Sequence, residues 1–79
     1  MDAIKAPSVG RIVHFISEIP GTEVNPAKII YRAAIVTKVD EQLPMVVSLA
    51  VFHEGNQEFI QNVQWGEVPG CWKWPEVVG

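Results

Sequence analysis

VQWGEVPGCWKWPEVVG, residues 63–79, carries the three tryptophans of the chain, Trp65, Trp72 and Trp74, within ten positions. Tryptophan is large and costly to expose, so a chain of 79 residues rarely holds three without a packing or a binding reason. Glycines at 66 and 70 and prolines at 69 and 75 restrict the backbone around these rings. We therefore expect an ordered corner here, which we call the Trp corner, and not a disordered tail.

Two interpretations of the Trp corner stay open at this point. Trp72 and Trp74 are two residues apart, so in a strand they share one face while Cys71 and Lys73 share the other. The tryptophan pair forms either a hydrophobic plug that closes one end of the core or a platform that stacks a planar ligand. Trp65 is expected to lie nearest the surface.

The sequence outward from this corner is typical of β-strands. Alternating and β-branched residues predict strands over 9–17, 29–39, 45–53 and 57–63, and a short last strand over 71–74. Residues 54–56 form a tight hairpin turn, and proline-containing or polar loops cover 19–26 and 40–44. With no helical apolar stripe, the pattern predicts a single all-β domain over 1–79, a small five-stranded barrel with a flexible arm at 1–8.

The composition favours association. Hydrophobic residues make up 48% of the chain and the mean hydropathy is +0.16. A chain this short buries only about 60–65% of its unfolded surface, so its core cannot hide so much apolar surface. We expect a homo-oligomer or a complex with a partner.

The charge pattern excludes a long nucleic acid as the ligand. The net charge is −3, and the six basic residues are scattered along the chain, whereas a polyanion requires a concentrated basic face. Arg11 and Arg32, the two arginines, stand in apolar strands, where such a residue usually pairs with a carboxylate such as Glu58 or Glu67. One small anion held by an arginine remains compatible with the sequence.

Neither metal binding nor catalysis is expected. Cys71 is the only cysteine, so no intramolecular disulfide forms, and His14, His53 and Cys71 lack the spacing of metal ligands. No phosphate loop, nucleophile motif or carboxylate pair indicates an enzyme or a cofactor. Cys71 is expected to be buried and structural, while His14 either satisfies a core hydrogen bond or points into a pocket. There is no signal peptide and no membrane-spanning run, which predicts a cytoplasmic protein.

Four blocks carry a resemblance to a known group. VGRIVHF (9–15), AAIVTKV (33–39), VSLAVF (47–52) and PGCWKWPE (69–76) resemble short phage and prophage proteins that open on a Gly-Arg-Ile-Val-His strand and close on a Pro-Gly-x-Trp-x-Trp-Pro corner. The group is similar to SH3-like barrels in length and strand pattern. The resemblance implies a phage accessory protein that acts in the cytoplasm of a bacterial host.

Two functions fit this resemblance. The first is counter-defence by sequestration of a small nucleotide immune signal. The base would stack on Trp72, Trp74, Tyr31 or Phe52, the phosphate would meet Arg11, Arg32 or Lys73, and His14 would line the pocket. The second is a protein-interaction module in which an edge strand or the Trp corner docks a host or virion protein.

Overall fold

Five antiparallel strands form one sheet. The computed structural model describes residues 6–75, and the strands are β1 (Ile12–Ile19), β2 (Lys28–Val39), β3 (Val47–His53), β4 (Asn56–Val63) and β5 (Trp72–Lys73). Their order across the sheet is β4-β3-β2-β1-β5, which confirms the predicted all-β, five-stranded class. The arm predicted for 1–8 lies mostly outside the described residues. In the part of the chain from 6 to 75, no helix is long and apolar enough to cross a membrane.

The strand boundaries differ from the predictions at two turns. β1 begins at Ile12 and not at Val9, because Val9 and Gly10 form a turn in which Gly10 has a φ of +92°. β3 begins two residues later than predicted, because the N–H of Val46 bonds back to the carbonyl of Leu43 and extends the preceding turn. The hairpin turn predicted over 54–56 is confirmed but occupies only 54–55, with Gly55 at a φ of +89°, because Asn56 already belongs to β4.

The sheet curls into a barrel-like shape but does not close. Its two edges, β4 and β5, approach each other where the chain leaves β4, and they meet in a single parallel bridge between Trp65 and Trp72. The N–H of Trp72 donates to the carbonyl of Gln64 at 2.9 Å, and the N–H of Gly66 donates to the carbonyl of Trp72 at 3.1 Å. β5 is only two residues long, so it cannot support a full closing ladder.

The core fills the concave side of the sheet. Strand residues alternate between the two faces, and every strand sends its inward residues to one cluster. Its fully buried members are Val13, Ala34, Val36, Val47, Leu49, Val51, Val63 and Trp72, with Phe15, Val39, Met45, Ile60 and Trp74 packed against them. Aliphatic residues from all the long strands thus surround one large ring, that of Trp72.

Candidate ligand-binding site on the outer face of the sheet

The tryptophan pair acts as a plug. Trp72 is fully buried, and its indole N–H donates to the carbonyl of Met45 at 2.9 Å, which satisfies its polar atom inside the core. Trp74 is half-buried and meets Trp72 edge to face, with ring centroids 5.6 Å apart. Trp72 therefore has no accessible face on which a ligand stacks, although the sequence places it among the ligand-binding residues. Trp65 is 39% exposed and is the most accessible of the three, as predicted.

Lys73, the next residue, points the other way. In the outward row across β5, β1 and β2, Lys73 lies opposite His14, and His14 lies opposite Ala33. Ala33 is exposed, while His14 and Lys73 are half-buried. A methyl group therefore lies beside two polar side chains in this row.

Tyr31 completes this group from β2. Its ring is 55% exposed, and its centroid lies 6.0 Å from that of His14. The Lys73 ammonium lies over the same ring, 5.6 Å from its centroid, a geometry that attracts a cation to an aromatic face. Since β1 separates β5 from β2, Lys73 reaches across β1 to make this contact. We call His14, Tyr31 and Lys73 the outer cluster.

Glu67 neutralises part of the charge of the outer cluster. Its carboxylate lies 3.7 Å from the Lys73 ammonium, and its side chain is 75% exposed. An exposed ion pair of this kind contributes only about 0–1 kcal/mol, so an incoming anion displaces Glu67 at little cost. Tyr31 offers an aromatic face, Lys73 a cation and His14 a ring nitrogen, which together suit a planar ligand that carries an anionic group.

The two arginines are not brought together. Arg11 is exposed and directly precedes β1. Its carbonyl accepts a hydrogen bond from the N–H of Val36 at 2.9 Å. Arg32 faces inward opposite Phe15, and its buried Nε has no hydrogen-bond partner among residues 6–75. Four strand positions separate them, which is about 13 Å along the sheet, so they do not clamp one anion between them.

The predicted carboxylate partners of the arginines are engaged elsewhere. The carboxylate of Glu58 lies 2.9 Å from Nε2 of His53, and the carboxylate of Glu67 lies 3.7 Å from Nζ of Lys73. Cys71 is half-buried instead of buried. Among residues 6–75, no three His, Cys, Asp or Glu side chains are grouped so that they could hold a metal ion.

Two residues beside the outer cluster, Ala33 and Glu67, were not predicted from the sequence. Ala33 shares its strand face with Tyr31 because the two are two residues apart, and this alternation was the signal in the sequence. Glu67 precedes the Pro69-Gly70 turn, so its proximity to Lys73 depends on how that turn folds. Its position therefore had no signal in the sequence.

Comparison with protein-family models, curated proteins and solved structures gave no match.

Proposed function

We propose that this chain is a non-enzymatic binding protein whose outer cluster takes a small nucleotide. The observation that carries the proposal is the convergence of His14, Tyr31 and Lys73 from three strands on one outward face, with the Lys73 ammonium 5.6 Å from the Tyr31 ring centroid. A base that stacks on the exposed part of Tyr31 brings its phosphate within reach of Lys73. This moves the stacking role from the Trp corner to Tyr31.

The affinity argument supports a compact ligand. Hydrogen bonds to a charged group contribute about 1.5–3 kcal/mol each, and a stacked base adds about 1–3 kcal/mol. Two such bonds and one stack together contribute about 4–9 kcal/mol, part of which is offset by the loss of translational and rotational freedom on association. A long nucleic acid would meet a chain of net charge −3, which disfavours its binding.

The biological setting follows from the sequence resemblance. As a phage accessory protein in the bacterial cytoplasm, an oligomer of this chain would sequester a small nucleotide signal of host immunity and so counter the defence. Sequestration requires binding without catalysis, and a stacking ring with a neighbouring cation supplies the contacts for such binding.

Calorimetry with a panel of cyclic and linear nucleotides tests the proposal. The nucleotides that raise the melting temperature are titrated first into the wild-type chain, then into Tyr31→Ala and Lys73→Met. Both variants are expected to weaken binding at least tenfold. Lys38→Met, which removes the same charge from the far end of β2, is the matched control and is expected to bind as wild type. Equal affinity in all four proteins, or no shift with any nucleotide, contradicts the proposal.

Docking of a host or virion protein is the second candidate. It is favoured by apolar side chains on the same outward face as the outer cluster, where Ile12 is 60% and Phe52 41% exposed. Affinity capture from infected cells with the wild type and with Ile12→Lys distinguishes the two functions. A protein that binds the wild type and not Ile12→Lys, with no nucleotide effect on melting, supports docking. A nucleotide effect without such a protein supports sequestration.

A further inference from the structure

Among residues 6–75, no strand pairs with the outer side of the edge strand β4. The two-residue turn at 54–55 makes His53 and Asn56 a hydrogen-bonded pair, and in an antiparallel ladder such pairs recur at every second residue. The N–H and C=O groups of Asn56, Glu58 and Ile60 therefore point toward β3, and those of Gln57 and Phe59 point to the open edge of the sheet.

Within residues 6–75, this edge carries only part of the usual protection against pairing, a bulge at the end of the strand. Monomeric β-proteins place lysine, proline or a bulge on an exposed edge, but the strand NQEFIQNV (56–63) contains neither lysine nor proline. Its one charged residue, Glu58, is bonded to His53. The register of β4 against β3 is regular from Asn56 to Ile60 and shifts over Gln61 and Asn62, where Asn62 has a φ of +58°. The regular edge therefore runs over 57–60 and reaches the bulge at Gln61. Phe59 lies in this regular part and is 69% exposed.

We propose that β4 pairs antiparallel with β4 of a second copy, about a two-fold axis through Phe59. The sequence Gln57-Glu58-Phe59-Ile60-Gln61 is nearly palindromic around that axis. In this register Phe59 lies opposite Phe59 of the second copy, and Gln57 lies opposite Gln61. The backbone groups of Phe59 point outward, so the two Phe59 residues exchange both of their backbone hydrogen bonds, and the proposed pairing extends this ladder to Gln57 and Gln61.

The side chains favour a second copy of this chain as the occupant. The two phenylalanines meet as a cross-strand aromatic pair, and the glutamine side chains are able to bond to each other. Glu58 lies opposite Ile60, so the like charges of the two copies do not face each other. The interface is isologous, as closed dimers require, and it unites the two sheets into one of ten strands.

Sedimentation and light scattering test the assembly. The wild type is expected at twice the 8.8 kDa mass of the chain at about 100 µM, a concentration that detects weak dimers. Phe59→Lys places two like charges directly opposite each other and is expected to shift the protein to the monomer while its circular dichroism stays that of wild type. Phe52→Lys changes the same residue type on β3, away from the edge, and is expected to remain dimeric. A monomeric wild type, or a dimeric Phe59→Lys, overturns the proposal.

Amide hydrogen exchange identifies the edge itself. In the dimer the amides of Gln57, Phe59 and Gln61 should exchange slowly, as those of Glu58 and Ile60 do. In Phe59→Lys only the outward set should become fast. Fast exchange of the outward amides in a dimeric wild type would assign the contact to another surface and refute β4 pairing. The dimer leaves the β5-β1-β2 side uncovered, so the result is independent of nucleotide binding at the outer cluster.

Discussion

Trp72 and Lys73 are neighbours in β5 and belong to two different environments. Trp72 is fully buried within the aliphatic core cluster, and its indole N–H donates a hydrogen bond to the carbonyl of Met45. Lys73 crosses the outer face of β1, between the Tyr31 ring and the Glu67 carboxylate. The same two-residue strand thus supplies the central ring of the core and the cation of the candidate site.

The difference separates stability from binding. Contacts of Trp72 involve a large apolar area and one enclosed hydrogen bond, both of which depend on the folded state. Contacts of Lys73 are made in part with solvent-exposed groups, which contribute little to folding. Substitutions on the outer face should therefore change ligand binding with little effect on stability, and substitutions at the corner should do the reverse.

The largest effect is expected for Trp72→Ala. Removing a fully buried tryptophan leaves a cavity and should lower the free energy of unfolding by about 3–5 kcal/mol, which is comparable to the whole stability of a small domain. Urea denaturation followed by circular dichroism measures the change. Lys73→Met, at the adjacent position, is the control and should lower that free energy by less than about 1 kcal/mol. Similar losses in the free energy of unfolding for both variants would mean that the two faces of β5 contribute equally to stability.

A smaller effect is expected for Gly66→Ala in the loop that supports the corner. A Cβ atom at Gly66 would lie 2.8 Å from Sγ and 3.3 Å from Cβ of Cys71, so either the thiol rotates or the loop shifts. We expect a loss of about 1–3 kcal/mol in the free energy of unfolding.

The double variant Gly66→Ala/Cys71→Ala tests the cause of that loss. Without the sulfur atom the new methyl group has room, so the double variant should lose less stability than the sum of its two single variants. Strict additivity in this cycle would show that contact with Cys71 is not the reason for glycine at position 66.

The smallest effect concerns pH and the turn before β3. Oδ1 of Asp40 accepts hydrogen bonds from the N–H groups of Gln42 and Leu43 at 2.9 Å each, and these bonds hold the pKa of Asp40 below its ordinary value. This turn leads to Met45, whose carbonyl accepts the hydrogen bond from the indole N–H of Trp72.

The sign of the pH effect follows from the direction of the shift. A carboxyl with a lowered pKa in the folded state stabilises that state above its ordinary pKa of about 3.9, and the contribution is lost as the pH falls through the folded pKa. Asp40→Asn keeps an acceptor oxygen but does not titrate. The wild type should exceed Asp40→Asn in stability more at pH 7 than at about pH 3, as measured by urea unfolding. A difference independent of pH would contradict the role of the charge.

Most of the fold was predictable from local sequence patterns. The strand over 57–63 and the turn at 54–55 follow from alternation and from a glycine that accepts positive φ, and β4 and the hairpin agree with both. The starts of β1 and β3 were less predictable. Val9 and Met45 continue the apolar pattern of the strands that follow them, but the backbone beside them forms turn hydrogen bonds, such as that from Val46 to Leu43. The incomplete closure of the barrel had no local signal either.

The sequence by itself determined the all-β class, the approximate positions of the strands and the opposite directions of Trp72 and Lys73, since all three depend on the two-residue period of a strand. Only the tertiary structure decided which face of β5 became the core, which residues met His14 across β1 and β2, and that Arg11 and Arg32 stayed apart. The physical reason is that register and sheet curvature arise from contacts between distant segments. Alternation within one strand specifies two faces but does not say which of them the rest of the chain covers.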